Sequence, residues 1–203
     1  MAILKKMTPG RFITLGFMTV ILLGAFILYL PISQNEGANV AFIDALFTST
    51  SAVCVTGLIV VDTADHFNAF GQTVVGMLIQ IGGLGVTSVG VGIMILARKK
   101  VSFKGIVKLI KSVLYVTLFF ETIGTILSFI VFSKDYPPLK ALGISLFHSV
   151  ASFNNAGFDI LGGLRNLIPY QDSVLLNLTT CGLIIFGGLG FFVIKEIIHK
   201  RNF

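Results

Sequence analysis

The chain has 203 residues, 55% of them hydrophobic and only 12% charged, with a mean hydropathy of +0.94. That composition excludes an ordinary soluble domain and puts the chain among integral membrane proteins. The formal net charge is +6, yet the basic residues stand in short blocks at the ends of apolar runs, which points to orientation in a bilayer rather than to nucleic acid as a partner.

Lys5, Lys6 and Arg11 precede an uncharged run from Phe12 to Ser33, long enough to span a bilayer and without a small-residue cleavage site before the next polar turn. Gln34 to Asn39 reads as a loop. Val40 to Val53 is apolar and rich in Ser and Thr, about three turns of helix, too short for the roughly 20 residues that a crossing needs. It leads into a glycine-bearing loop, Cys54 to Leu58, and a short polar exit at Asp62, Asp65 and His66. A short apolar helix followed by irregular backbone reads as a re-entrant segment, because non-helical backbone survives at membrane depth only where it lines a cavity or is buried in protein.

The next uncharged run, Phe67 to Ala97, exceeds one span and is expected to tilt, break or project from the hydrocarbon. It contains Gly82-Gly83-Leu84-Gly85. Arg98 to Lys111 carries Arg98, Lys99, Lys100, Lys104, Lys108 and Lys111 with no acidic residue, and reads as a cytoplasmic connection. Ser112 to Phe132 is a third span, interrupted by Glu121. After the turn at Lys134 to Pro138, a second re-entrant segment runs from Leu139 to Phe153, with its loop at Asn154 to Phe158. Gly162, Gly163 and Pro169 mark another loop. Ser173 to Ile194 is the last span and holds Gly187-Gly188-Leu189-Gly190.

The order of elements occurs twice. Leu46, Phe47, Ser49 and Gly57 match Leu146, Phe147, Ser149 and Gly157 without a gap, and the Gly-Gly-Leu-Gly runs follow in the same order. The expected fold class is therefore all-α integral membrane: two tandem span–re-entrant helix–span units with four transmembrane helices. The units are 1–97 and 112–203, joined by the basic connection 98–111. The bias of Lys and Arg places both termini in the cytoplasm, so both loops enter from outside. Glu36, Asp44, Asp62, Asp65, Asp135, Asp159 and Asp172 then lie on the outer side, where a net negative vestibule concentrates cations.

Rings of backbone carbonyls can replace the hydration shell of a cation. Glycine lets a backbone turn its carbonyl inward where side chains disfavour that conformation. Gly57 and Gly157 are thus the sharpest candidates, and two aligned copies outweigh the plain-turn reading that one would carry. The phrases T-S-T-S-A-V-C-V-T-G-L and H-S-V-A-S-F-N-N-A-G-F, with the Gly-Gly-Leu-Gly runs, resemble the Trk/Ktr/HKT superfamily of potassium transporters, and within it the bacterial Ktr membrane subunit, over nearly the whole chain. The resemblance implies a potassium-channel-like filter in which carbonyls of Cys54, Val55, Thr56 and of Asn154, Asn155, Ala156 face the ion, with Gly57 and Gly157 in the place of the first glycine of T-V-G-Y-G. It also implies K⁺ as the transported ion, with or without Na⁺ coupling, no covalent cofactor, and a cytoplasmic nucleotide-binding ring as regulatory partner. The family places four such units around one pore. This chain has two, and neither the family's gating segment of the third unit nor the second-helix arginine of the fourth has a match. Either two copies of this chain pair up, or another chain supplies two units, or this is half of a longer protein.

The remaining features weigh toward blander roles. The Gly-Gly-Leu-Gly runs lack the Gly-Lys-Ser/Thr ending of a phosphate loop and suit close helix packing better than a flexible point beside the pore. Glu121 is expected to hold a loop in place by accepting backbone N–H groups, rather than to bind the ion. His66, His148 and His199 show no metal-ligand spacing, and no catalytic constellation is visible, so the chain is not expected to be an enzyme. Cys54 and Cys181, both in apolar surroundings, read as reduced. The expected function is uptake of K⁺ across the plasma membrane through a carbonyl-lined constriction, driven by a potential worth about 2.3 kcal/mol per charge per 100 mV. The negative ends of the re-entrant helices, pointing to the membrane centre, assist it. The competing expectation is a half-pore assembly subunit without transport of its own. A small-solute carrier fits poorly, because the units run parallel rather than inverted.

Overall fold

The structure, a computed structural model, describes residues 9–98 and 103–199, with side chains over 10–85 (Phe12 aside) and 111–189. Lys5, Lys6, Lys99, Lys100, Lys200 and Arg201, on which the orientation rests in part, lie outside the described residues. Seven helices follow one another: α1 (Pro9–Tyr29), α2 (Phe42–Val53), α3 (Thr63–His66), α4 (Ala69–Arg98), α5 (Phe103–Phe132), α6 (Pro138–Phe153) and α7 (Val174–His199). Short 3₁₀ turns at Pro31–Ser33 and Ile168–Tyr170 complete the architecture, which contains no strand among the described residues.

Most boundaries fall within a few residues of those expected. The exception is α5, which starts at Phe103 inside the basic connection. Lys104, Lys108 and Lys111 recur three and four residues apart with apolar residues between them, a helical period that a reading by charge alone overlooks. α4 runs through Gly82-Gly83-Leu84-Gly85 as one helix of 30 residues, about 45 Å at 1.5 Å per residue.

α1 packs on α2 and α4, and α5 packs on α6 and α7, so each short helix sits between two long ones. The halves meet where α4 touches α6. One end of the first half is closed by backbone: Asn35 N–H donates to the His66 carbonyl at 3.0 Å and Asn68 N–H to Ser33 at 3.1 Å. The Asn68 carboxamide also caps α4, its oxygen accepting from Phe70 and Gly71 N–H.

The polarity runs opposite to that of a soluble protein. Leu23 and Phe26 of α1, Tyr115 and Phe119 of α5, and Leu178 of α7 are exposed, while Thr48, Ser49, Ser51, Ser145, His148, Ser149 and Ser152 are buried. Apolar outside and hydroxyl-rich inside is an arrangement for an apolar solvent. Among the described residues one stretch, Lys111–Phe132, is long and apolar enough to cross a membrane; Ile13–Tyr29, Phe42–Val53, Ala69–Gly85 and Val174–Leu189 are shorter apolar helices.

Candidate functional site

Two loops, each at the end of a short helix, make the site. At the end of α2, Cys54 N–H bonds the Thr50 carbonyl at 2.8 Å, Val55 N–H bonds Ala52 at 3.3 Å, and Thr56 N–H reaches back to Ser51 at 3.0 Å. At the end of α6, Asn154 bonds Val150 at 3.1 Å, Asn155 bonds Ser152 at 3.1 Å, and Ala156 bonds Ala151 at 2.8 Å. This crossed pair of terminal bonds requires a left-handed residue just past the helix. Val55 and Asn155 fill that place, with φ of 55° and 59°. Gly57 and Gly157, at 72° and 71°, are left-handed again, whereas Thr56 and Ala156 between them are not.

The loops touch. A Cβ on Gly57 would lie 2.5 Å from the Ala156 carbonyl oxygen, and one on Gly157 would lie 3.7 Å from Gly57 Cα. Gly57 is therefore held to glycine by close approach as well as by its φ, and Gly157 by its φ. Cys54, Thr56, Asn155 and Gly157 are exposed, Val55, Gly57 and Asn154 are half-buried, and Ala156 is buried. Both cysteines are free thiols, exposed rather than enclosed by the apolar residues around them in sequence.

Matching anchors hold the helices that carry the loops. Ser49 Oγ donates to the Ile21 carbonyl at 2.8 Å, and Ser149 Oγ to the Glu121 carbonyl at 2.7 Å. Both serines sit against a glycine and a leucine of their neighbours, Gly24 and Leu78 in the first half, Gly124 and Leu183 in the second. In the first loop the Thr56 and Ser51 hydroxyls also pair at 2.8 Å.

The second loop has polar support that the first lacks. The Asn154 amide donates to Gln80 Oε1 at 3.0 Å, to the Val150 carbonyl at 2.9 Å and to Glu121 Oε1 at 3.3 Å. Gln80 also hydrogen-bonds the Glu121 carboxyl. The buried Glu121 side chain thus takes side-chain amides, not the backbone N–H groups expected of it, because Asn154 projects its amide back from the loop toward α5. Gln80 was not anticipated; its only signal in sequence is one polar residue in the apolar run of α4. His148 Nε2 lies 2.9 Å from Thr180 Oγ1. With Ser152, Asn155, Asn166 and Thr180 it lines a cavity of about 240 Å³ behind the second loop.

Several acidic residues near the loop exits are engaged with backbone N–H groups or a hydroxyl. Asp62 Oδ1 caps α3 by accepting from Ala64 and Asp65 N–H, and its Oδ2 accepts from Leu164 N–H at 2.7 Å; Asp65 Oδ2 accepts from Gly163 N–H at 3.2 Å. The exit of the first loop is thereby tied to the segment after the second. Asp44 accepts from Ala41 N–H and Asp135 from the Tyr170 hydroxyl. Asp159, just past the second loop, has its carboxyl pushed up by burial; the Leu161 N–H and Arg165 oppose the shift and the charge of Asp62 adds to it.

A sequence model of the TrkH family, described as cation transport protein, matches residues 9–203. The chain is 39% identical to the potassium/sodium uptake protein NtpJ of Enterococcus hirae over 213 residues, covering 98% of this chain and 47% of that protein. It is 37% identical to the Ktr system potassium uptake protein B of Bacillus subtilis, with the same coverage, and 34% identical to that of Vibrio alginolyticus, over 92% of this chain and 44% of that protein. The chain spans about half the length of the relatives it matches. On these matches the chain belongs to the TrkH family of cation transport proteins.

Proposed function

We propose that the chain contributes two of the loops of a K⁺-conducting filter. On this reading α1, α4, α5 and α7 are the four spans, α2 and α6 are re-entrant helices, and residues 1–97 and 112–203 are tandem units. Cys54, Val55, Thr56, Gly57 and Asn154, Asn155, Ala156, Gly157 offer their carbonyls to the ion. The observation that carries the proposal is the repeated alternation of hand at 55–57 and 155–157 in two loops that touch. An extended strand alternates its carbonyls from side to side. Alternating hand turns successive carbonyls to one side, which is what a dehydrated cation needs. K⁺ as substrate is carried over from the relatives, which are named for potassium uptake, one of them for potassium and sodium. The membrane potential drives uptake across the plasma membrane, both termini facing the cytoplasm, with Na⁺ coupling as the finer alternative.

Two loops surround only part of an ion. The reading therefore includes two further units, from a copy of this chain, from another chain or from further residues of the same protein, and a cytoplasmic nucleotide-binding ring beneath. The half-length match favours one competing reading: an assembly half that conducts nothing alone. Potassium uptake in a cell lacking its own uptake systems tests both. Gly57→Ser and Gly157→Ser are expected to lower the K⁺ over Na⁺ uptake ratio while the protein still reaches the membrane. An unchanged ratio in both variants removes the filter assignment. A chain that stays monomeric on crosslinking and supports no uptake favours the assembly half.

A further inference from the structure

The two loops share their backbone but not their support. Asn154 corresponds to Cys54, Glu121 to Ile21, and Gln80 of α4 to Ile185 of α7. All three polar members thus belong to the support of the second loop, and the positions that match them in the repeat hold Cys54, Ile21 and Ile185. The three come from three helices: Gln80 from α4 in the first half, Glu121 from α5 and Asn154 from the end of α6 in the second. Gly83, one residue before a full turn beyond Gln80, lies against the Asn154 carboxamide oxygen, where any Cβ would collide with it. α4 therefore presents both a partner and a gap to the residue that ends α6.

We infer that Gln80, Asn154 and Glu121 form a strut between the halves that sets the geometry of the second loop, Gln80 and Glu121 acting as positioning residues through Asn154; this rests on the filter reading above. Asn154 is the last residue before the left-handed step at Asn155, so the angle of its side chain fixes where the loop leaves the helix. The Glu121 carboxyl is 4% exposed and hydrogen-bonded by two amides. Its own carbonyl holds Ser149 of the same helix. One residue of α5 thus grips α6 at two levels. Leaving a member of a buried polar set unpaired costs the desolvation of that member. The second loop is accordingly held more firmly than the first.

The test reads the K⁺ over Na⁺ uptake ratio, which does not depend on how much protein reaches the membrane. Gln80→Leu, Asn154→Leu and Glu121→Leu are each expected to lower the ratio about tenfold, the equivalent of leaving one buried polar group unpaired. The exchange Gln80→Glu with Glu121→Gln keeps one carboxylate and one amide in the strut and is expected to restore the ratio to within about twofold of the parent, a rescue that a bulk packing role does not give. Ile185→Leu, at the place in α7 that matches Gln80 and exposed, serves as the comparison and is expected to change the ratio least. If Gly157→Ser lowers the ratio but the three leucine variants do not, or the exchange fails to rescue, the strut is overturned and the filter reading stands. If Gly57→Ser and Gly157→Ser also leave the ratio unchanged, both fall.

Discussion

Val55 and Asn155 occupy the same left-handed turn, φ 55° and 59°, one residue beyond the C-caps of α2 and α6. Asparagine tolerates that conformation, whereas a β-branched residue there is an outlier. The left-handed region costs an L-residue about 1–2 kcal/mol, and glycine's extra freedom in the unfolded chain takes back about 0.5–1 kcal/mol. Val55→Gly is therefore expected to stabilise the protein by up to about 1 kcal/mol, a rise of about 2–4 °C in Tm. The same change frees the first loop and should lower the K⁺ over Na⁺ ratio. A Tm that falls or stays level would mean that Val55 carries no strain.

Gly82 lies against the Val53 carbonyl, and Gly187 against that of Phe153, both too close for any side chain. The Gly-Gly-Leu-Gly runs are therefore packing surfaces at the ends of α2 and α6, in unbroken helices. Gly82→Ala and Gly187→Ala should each destabilise by about 1–3 kcal/mol through overpacking. Gly182→Ala, with nothing within 4 Å of the new methyl group, should be neutral or stabilising. Thermal unfolding in detergent separates the three, and equal Tm values would contradict the account.

These contacts also explain how far the sequence could be read. The matched Ser49 and Ser149, Gly57 and Gly157, and the two glycine runs all sit at places where both halves make the same backbone approach, so a comparison of one half with the other finds them. The left-handed Val55 gives no such signal, because valine is among the last residues that residue preference would put there. Gln80 escaped because its partners lie 74 residues away in Asn154 and across a helix in Glu121, and nothing local announces a polar triad. The acidic outer residues were read as free charge; Asp62 and Asp65 instead spend oxygens on backbone N–H groups.

Asp62 accepts from three N–H groups with two oxygens. Asn has one acceptor oxygen, so Asp62→Asn must leave either the α3 cap or Leu164 N–H opposed by an amide. The expected loss is about 1–3 kcal/mol, with faster amide hydrogen exchange over residues 161–166. Unaltered exchange in that segment would show that the tie between the two exits carries no load.

Asp159 gives a pH signature. Its carboxyl is raised by burial, so the folded protein holds the proton more tightly than the unfolded chain does. Below the ordinary aspartate value both states are protonated and no penalty exists. As pH rises above that value the unfolded chain ionises first, and stability is lost until the folded carboxyl ionises too. Asp159→Asn keeps the acceptor for Leu161 N–H and should raise Tm at pH 7 but not under strongly acidic conditions. A gain that is the same at all pH values would contradict this cause.

The most direct test of the ion path is anomalous diffraction from crystals of the assembled protein in which K⁺ is exchanged for Tl⁺. The account predicts a peak in direct contact with carbonyl oxygens of Val55 or Thr56 and of Asn155 or Ala156. Thallium found only elsewhere, with the carbonyls of Thr56 and Ala156 turned to lipid or bulk water, would contradict it.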